Sequence, residues 1–104
     1  MTACFLVRAQ VLDAAIKKDF DRWYQEEHLT DALKAFGAQR AWRGWSEVDA
    51  SVHYAFYEFD AIEKVREIPG SEALKRLVAE FDRAWGDKVS RSRDVIEWNQ
   101  QVAA

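Results

Sequence analysis

The sequence predicts an α+β domain whose elements follow the order β-α-β-β-α-β. Three patterns carry that prediction. Residues 3–12 (ACFLVRAQVL) are rich in β-formers and too short a run for a 3.6-residue period. Two later stretches place apolar residues at helical spacing, first Ile16, Phe20 and Trp23, then Leu74, Leu77, Val78, Phe81 and Trp85. Between them, residues 38–48 and 52–59 read as the two strands of a hairpin closed by Asp49-Ala50-Ser51.

Each element has a local reason. After the first strand, Asp13 offers a side-chain acceptor as N-cap, and Ile16, Phe20, Trp23 and Glu27 fall on one face of a helix running to about His28. Thr30 is placed to cap a further short turn, residues 31–36, which Gly37 stops in the left-handed conformation. In the second strand Arg40, Trp42 and Gly44 lie on one side, and Gln39, Ala41, Arg43 and Trp45 on the other. In the third, Val52, Tyr54 and Phe56 oppose Ala55, Tyr57 and Phe59, so neither face is polar. Asp60 reads as the N-cap of a short helical piece through Glu67, broken at Pro69-Gly70. Ser71 caps the second long helix and Gly86 ends it. Residues 88–98 form the fourth strand through Val89, Val95 and Ile96, and residues up to 104 read as a tail or a swapped edge.

This order is the split βαβ, or ferredoxin-like, arrangement, with both helices on one side of a four-stranded antiparallel sheet and residues 1–104 as a single domain. Five Trp, three Tyr and six Phe exceed what a small monomer core comfortably encloses. Aromatics on both faces of strand three predict that the second sheet face is covered too, because an open face of this composition would be an unusually large apolar patch. A homodimer in which two sheets face each other is the economical solution. The net charge of −3 argues against a polyanionic partner such as nucleic acid. No segment approaches the roughly 20 apolar residues of a membrane span, the N-terminal apolar run is interrupted by Arg8, and the lone Cys4 reads as a small buried hydrophobe; a cytoplasmic location is the expectation.

On the motif Phe20-x-x-Trp23-Tyr24-x-x-Glu27-His28-Leu29 and the run Ala35-Phe36-Gly37-Ala38-Gln39-Arg40, the chain resembles the dimeric α/β-barrel superfamily, and within it the EthD-like group. It departs from the common pattern after the histidine, where a proline often stands and this chain has Leu29-Thr30-Asp31. The resemblance implies ferredoxin-like protomers whose sheets pair into a barrel, with a pocket at the sheet-helix junction. It also implies a small hydrophobic or aromatic substrate and cofactor-free chemistry such as cyclisation, isomerisation or oxygenation, with His28 in the pocket. The same element order describes an RNA-recognition module, but at strand three Val52 stands where a basic residue is wanted and His53 where Gly is.

The candidate chemistry sits on the first helix. Tyr24 and His28 are i, i+4 neighbours, Asp31 follows three residues on, and Trp23 adds a large indole. His28 and Tyr24 are the candidate catalytic residues, the imidazole moving a proton and Tyr24, Tyr54 or Tyr57 stabilising the developing oxyanion. Burial beside aromatics would lower the His28 pKa, and Asp31 or Glu27 would raise it. Trp23, Arg40, Trp42, Tyr54 and Phe56 are the candidate ligand-binding residues. His53 reads as a surface turn residue. Arg40, Arg43, Arg91 and Arg93 read as exposed strand-edge residues or as ion pairs with Glu47, Glu58, Asp94 and Glu97, although an inward pair would select an acidic or enolate substrate. HExxH, GxGxxG, the P-loop and the nucleophile elbow are all absent, so neither a metal nor a cofactor is expected. The expected function is that of a small-molecule enzyme, a cofactor-free isomerase, cyclase or monooxygenase; the alternative is a non-catalytic ligand-binding or assembly protein of the same fold.

Overall fold

The computed structural model describes residues 2–104 and has four antiparallel strands, β1 (Ala3–Val11), β2 (Arg40–Trp45), β3 (Val52–Phe59) and β4 (Val89–Glu97), in the sheet order β2-β3-β1-β4. The β1 strand pairs with both β3 and β4, setting Phe5 opposite Tyr57 and Val95, Val7 opposite Ala55 and Arg93, and Ala9 opposite His53 and Arg91. Side chains alternate across a strand, so these rows form one face, and the helices cover it. The fold is ferredoxin-like. No helix among the described residues is long and apolar enough to cross a membrane.

The first helical segment departs from its predicted form. The α1 helix (Ala14–Trp23) begins at Asp13, whose carboxylate accepts from the Ala15 amide at 2.9 Å. It does not end at His28. A π turn over Tyr24–His28, closed by the Leu29 amide donating to the Tyr24 carbonyl, carries the chain straight into α2 (Leu29–Phe36). Thr30 therefore lies inside a helix and caps nothing; Gly37, at φ +69°, makes the stop. A second correction concerns Asp60. The N-cap of α3 (Ile62–Arg66) is Ala61, with no side-chain bond, and Asp60 instead pairs with Lys64 at 2.7 Å. After a 3₁₀ turn at Ile68–Gly70, Ser71 caps α4 (Glu72–Trp85) by accepting from the Leu74 amide at 3.1 Å. The second strand is shorter than its apolar pattern suggests, and residues 98–104 form neither helix nor strand and are exposed.

The core lies between the helices and the odd-numbered strand residues. Phe20 is fully buried at its centre, with ring centroids 5.3 Å from Tyr24, 5.4 Å from His53, 5.4 Å from Trp85, 5.9 Å from Trp45 and 6.0 Å from Phe81. Several of these pairs are edge-to-face, the arrangement ring quadrupoles favour. The opposite sheet face carries Leu6, Trp42, Tyr54 and Phe56. Trp42 stacks on Phe56 at 5.7 Å yet remains 39% exposed.

Phe20→Ala leaves a hole where six aromatic neighbours converge, Trp23 among them, and the expected loss is about 3–5 kcal/mol of unfolding free energy. Urea denaturation monitored by tryptophan fluorescence measures it. A loss below about 1 kcal/mol would mean that the cluster closes around the deletion and that Phe20 is not its centre.

Candidate active site

The π turn determines where the histidine goes. In an ordinary α-helix, residues five apart are rotated by about 140° and cannot stack. With the wider turn, the His28 imidazole lies parallel to the Trp23 indole at 4.3 Å and 15°, and edge-on to Tyr24 at 4.9 Å. Two open regions flank it. On the inner side, between α1, α2, α4 and the sheet, is a cavity of about 20 Å³, room for a water molecule. Its polar lining is Tyr24, His28, Tyr57, Arg91 and Arg93, and its apolar wall includes Phe5, Val7, Phe36, Leu77 and Phe81. On the outer side a cleft of about 350 Å³ runs past Trp23, Glu27, Asp31, Glu80 and Arg83. A third depression, about 410 Å³, lies beside Pro69 and Asp94 and shares Phe5, Leu74 and Arg93 with the inner cavity.

Electrostatics follow from burial. Burial pushes the His28 imidazole down to about 4, against the opposing pull of Asp31. Asp31 is itself engaged by a guanidinium. Arg76 grips it through two bonds of 3.2 Å, which hold its carboxyl below the ordinary range. Burial raises the Tyr24 phenol to about 12 and the Tyr57 phenol well above its usual value, and each acts on the other's ionisation. At neutral pH the inner cavity therefore presents an unprotonated imidazole and two protonated phenols.

His53 is a correction. It is not a surface turn residue but fully buried on the helix side of β3, with its ring 4.5 Å from Tyr24 and 5.0 Å from Trp45. The Arg43 guanidinium, which can only donate, approaches its Nε2 at 3.3 Å, and this fixes the neutral tautomer with the proton on Nδ1. That Nδ1 has no hydrogen-bond partner among the described residues. Burial, then the Arg43 charge, bring this imidazole down to about 4 as well. Arg43 and the Trp45 indole both donate to Asp21 Oδ1 at 2.8 Å, so Asp21 neutralises the arginine. No sequence motif singles Asp21 out for that role. For His53 a signal does exist in the strand parity, because it alternates in step with Ala55 and Tyr57.

The candidate residues thus separate into two groups. Tyr24, His28 and Trp23 come together, joined by Tyr57 and by Arg91 and Arg93 from β4. Arg40, Trp42, Tyr54 and Phe56 lie on the other face of the sheet, where Arg40 pairs with the buried Glu58 at 3.3 Å. Of the four strand arginines, Arg40 has the expected partner. Arg43 pairs with Asp21 and Arg91 with Asp82, both on helices rather than strands.

No protein-family model and no curated protein matches the chain. Solved structures do match in fold. A variant of SnoaB, a cofactor-independent oxygenase from Streptomyces nogalater, superposes with a TM-score of 0.69 at 12% identity over 99% of this chain and 98% of its own. A dimeric ferredoxin-like protein from an uncultured marine organism gives 0.68 at 13% identity over the whole of both chains. An ethyl tert-butyl ether D (EthD) family protein from Bacillus halodurans gives 0.58 at 14% identity, covering 90% of this chain and 97% of the other. The ferredoxin-like fold of this chain is therefore one that a dimeric ferredoxin-like protein and an EthD family protein also have.

The two depressed imidazoles have a consequence for stability. Each binds its proton less readily folded than unfolded, so the stability tied to it is complete above about pH 6.5 and is lost as pH falls toward about 4. The expected loss over that interval is about 3 kcal/mol per histidine, as an order of magnitude. Urea midpoints measured across the window should fall steeply for the parent protein and less for His28→Gln or His53→Gln. An equal slope in all three would show that the imidazoles are not held neutral.

Proposed function

We propose that this protein is a homodimeric, cofactor-independent enzyme that moves a proton on a small hydrophobic or aromatic compound bound in the cavity beside His28. The observation that carries the reading is an unprotonated imidazole set between a small buried cavity lined by two protonated phenols and an outer cleft open to solvent. The first step is abstraction from an activated carbon next to a carbonyl. The C–H bond breaks, the proton passes to His28, and the electron pair moves to the carbonyl oxygen as an enolate, which Tyr57 or Tyr24 meets with a hydrogen bond. The same step opens isomerisation, cyclisation and oxygenation. A pKa of about 4 makes the empty site's imidazole a weak base. That low value reflects a lone positive charge in a dry place, and a negative enolate formed beside it offsets the cost. The captured proton then has an exit through the outer cleft.

The fold shared with a cofactor-independent oxygenase supports this reading, and the fold shared with a dimeric ferredoxin-like protein supports the dimer. The Trp42-Phe56 stack on the uncovered sheet face supplies an apolar surface for a second copy. One observation favours a rival. Side chains fill the inner cavity to about 20 Å³, as they would in a non-catalytic binding or assembly protein. In the enzyme reading a substrate enters by displacing the Leu74 edge of α4, beside the depression at Pro69.

Hydrogen–deuterium exchange separates the two. Anthrone, 2-tetralone and related compounds with acidic C–H bonds, incubated with the protein in D2O, should exchange at the activated carbon faster than in buffer. His28→Ala should abolish the excess while circular dichroism stays unchanged. No excess exchange with any of these compounds rejects proton abstraction. A monomer in native mass spectrometry at micromolar concentration rejects the dimer.

A further inference from the structure

Three guanidinium groups act on the Tyr24 phenol from the sheet, those of Arg91, Arg43 and Arg93. Two have their charges matched. Arg43 donates to Asp21 at 2.8 Å, and Arg91 donates to Asp82 at 2.7 Å while lying over the Phe81 ring at 3.9 Å. Arg93 has no ion-pair partner among the described residues. It lines both the inner cavity and the depression beside Pro69 that leads toward it, and it is solvent-exposed at that boundary. Arg91 sits two residues away on the same face of β4, and its side chain is only 14% exposed. Across the cavity the imidazole is neutral and the phenols are protonated, and the one carboxylate at the mouth, Asp94, has the opposite strand parity to Arg91 and Arg93 and forms no ion pair with Arg93 among the described residues.

Resting on the reading of the cavity as a substrate site, we infer that its ligand is an anion, an apolar body carrying one carboxylate or acidic enolate that Arg93 captures at the mouth with Arg91 behind it. A planar guanidinium with no internal carboxylate matches a carboxylate through two parallel N–H bonds, and a neighbouring paired arginine adds field without needing to move. The apolar body then lies against Phe5, Leu74 and Phe81, with its far end toward Tyr24 and His28. This arrangement assigns Arg93 the choice of substrate and leaves the proton transfer to His28.

Benzoate and its neutral isostere benzamide, with 2-naphthoate and 2-naphthamide as a larger pair, test the inference by titration into ¹⁵N-labelled protein. The carboxylates should bind about tenfold or more tightly than the amides, shifting amides around Tyr24, His28 and Arg93. Arg93→Gln should erase the preference, and Arg22→Gln, a control at an exposed site on α1, should keep it. Equal binding of acid and amide at the cavity overturns the anion inference and leaves the substrate site standing. The anion inference also falls if Arg93→Gln changes nothing, or if the shifts lie elsewhere on the surface. Failure of all four probes to bind overturns the inference together with the site.

Discussion

The widening of one helical turn at Tyr24–His28 is the constraint on which the rest of the site depends. An unbroken α-helix would direct residue 28 away from Trp23; the π turn, with its Leu29-to-Tyr24 hydrogen bond, rotates it onto the indole. The same turn lets the helix continue to Phe36, so that Ala32 and Phe36 close the cavity over Phe5 and Tyr57. A π turn gives up regular hydrogen bonding and is tolerated only where packing holds it. Here the packing is the aromatic layer around Phe20, which fixes Trp23 and Tyr24 where the turn begins. Core and site are therefore one construction, and a change that loosens Phe20 also releases the imidazole.

That layer is unusual in holding two imidazoles, two phenols and two guanidinium groups among rings. Each would be costly as an isolated charge in so dry a place, and the molecule avoids the cost in different ways. The histidines stay neutral, the phenols stay protonated, and Arg43 and Arg91 send their charge to carboxylates at the rim, Asp21 and Asp82. Neutral groups of opposite hydrogen-bonding character are what remain inside. In the proposed reaction such a set would exchange a proton with a polarised organic molecule, both charges appearing in one step and close together.

Much of this is legible in the sequence, because burial follows period. The strand parity of β2 and β3, the α4 stripe from Leu74 to Trp85, and the caps at Asp13, Ser71 and Gly37 all follow from local rules that tertiary structure does not override. Geometry that depends on distant contacts is another matter. Nothing local distinguishes Tyr24-Gln25-Glu26-Glu27-His28 as a π turn from the same residues in an α-helix. The i, i+4 relation of Tyr24 and His28 is therefore readable from spacing, while the stack of His28 on Trp23 is not. Asp31 stands at the right spacing to serve His28, yet Arg76, 45 residues away, claims its carboxylate. For His53, nearness to the turn and parity with Tyr57 point in opposite directions, and parity wins because the aromatic layer extends to the end of β3.

The two faces of the sheet divide the labour. Arg40, Trp42, Tyr54 and Phe56, with their aromatic stack and the Arg40-Glu58 pair, have no route through the sheet to the inner cavity. Side chains on opposite faces of one strand nevertheless share a backbone: Tyr54 sits between His53 and Ala55, and Phe56 between Ala55 and Tyr57. Pressing a second copy against the even-numbered residues would fix the position of the odd-numbered ones. Apolar burial on one face can in this way hold Tyr57 and His53 rigid on the other without contributing an atom to the cavity. The open face and the dry cavity are then two consequences of one strand that carries aromatic side chains on both sides.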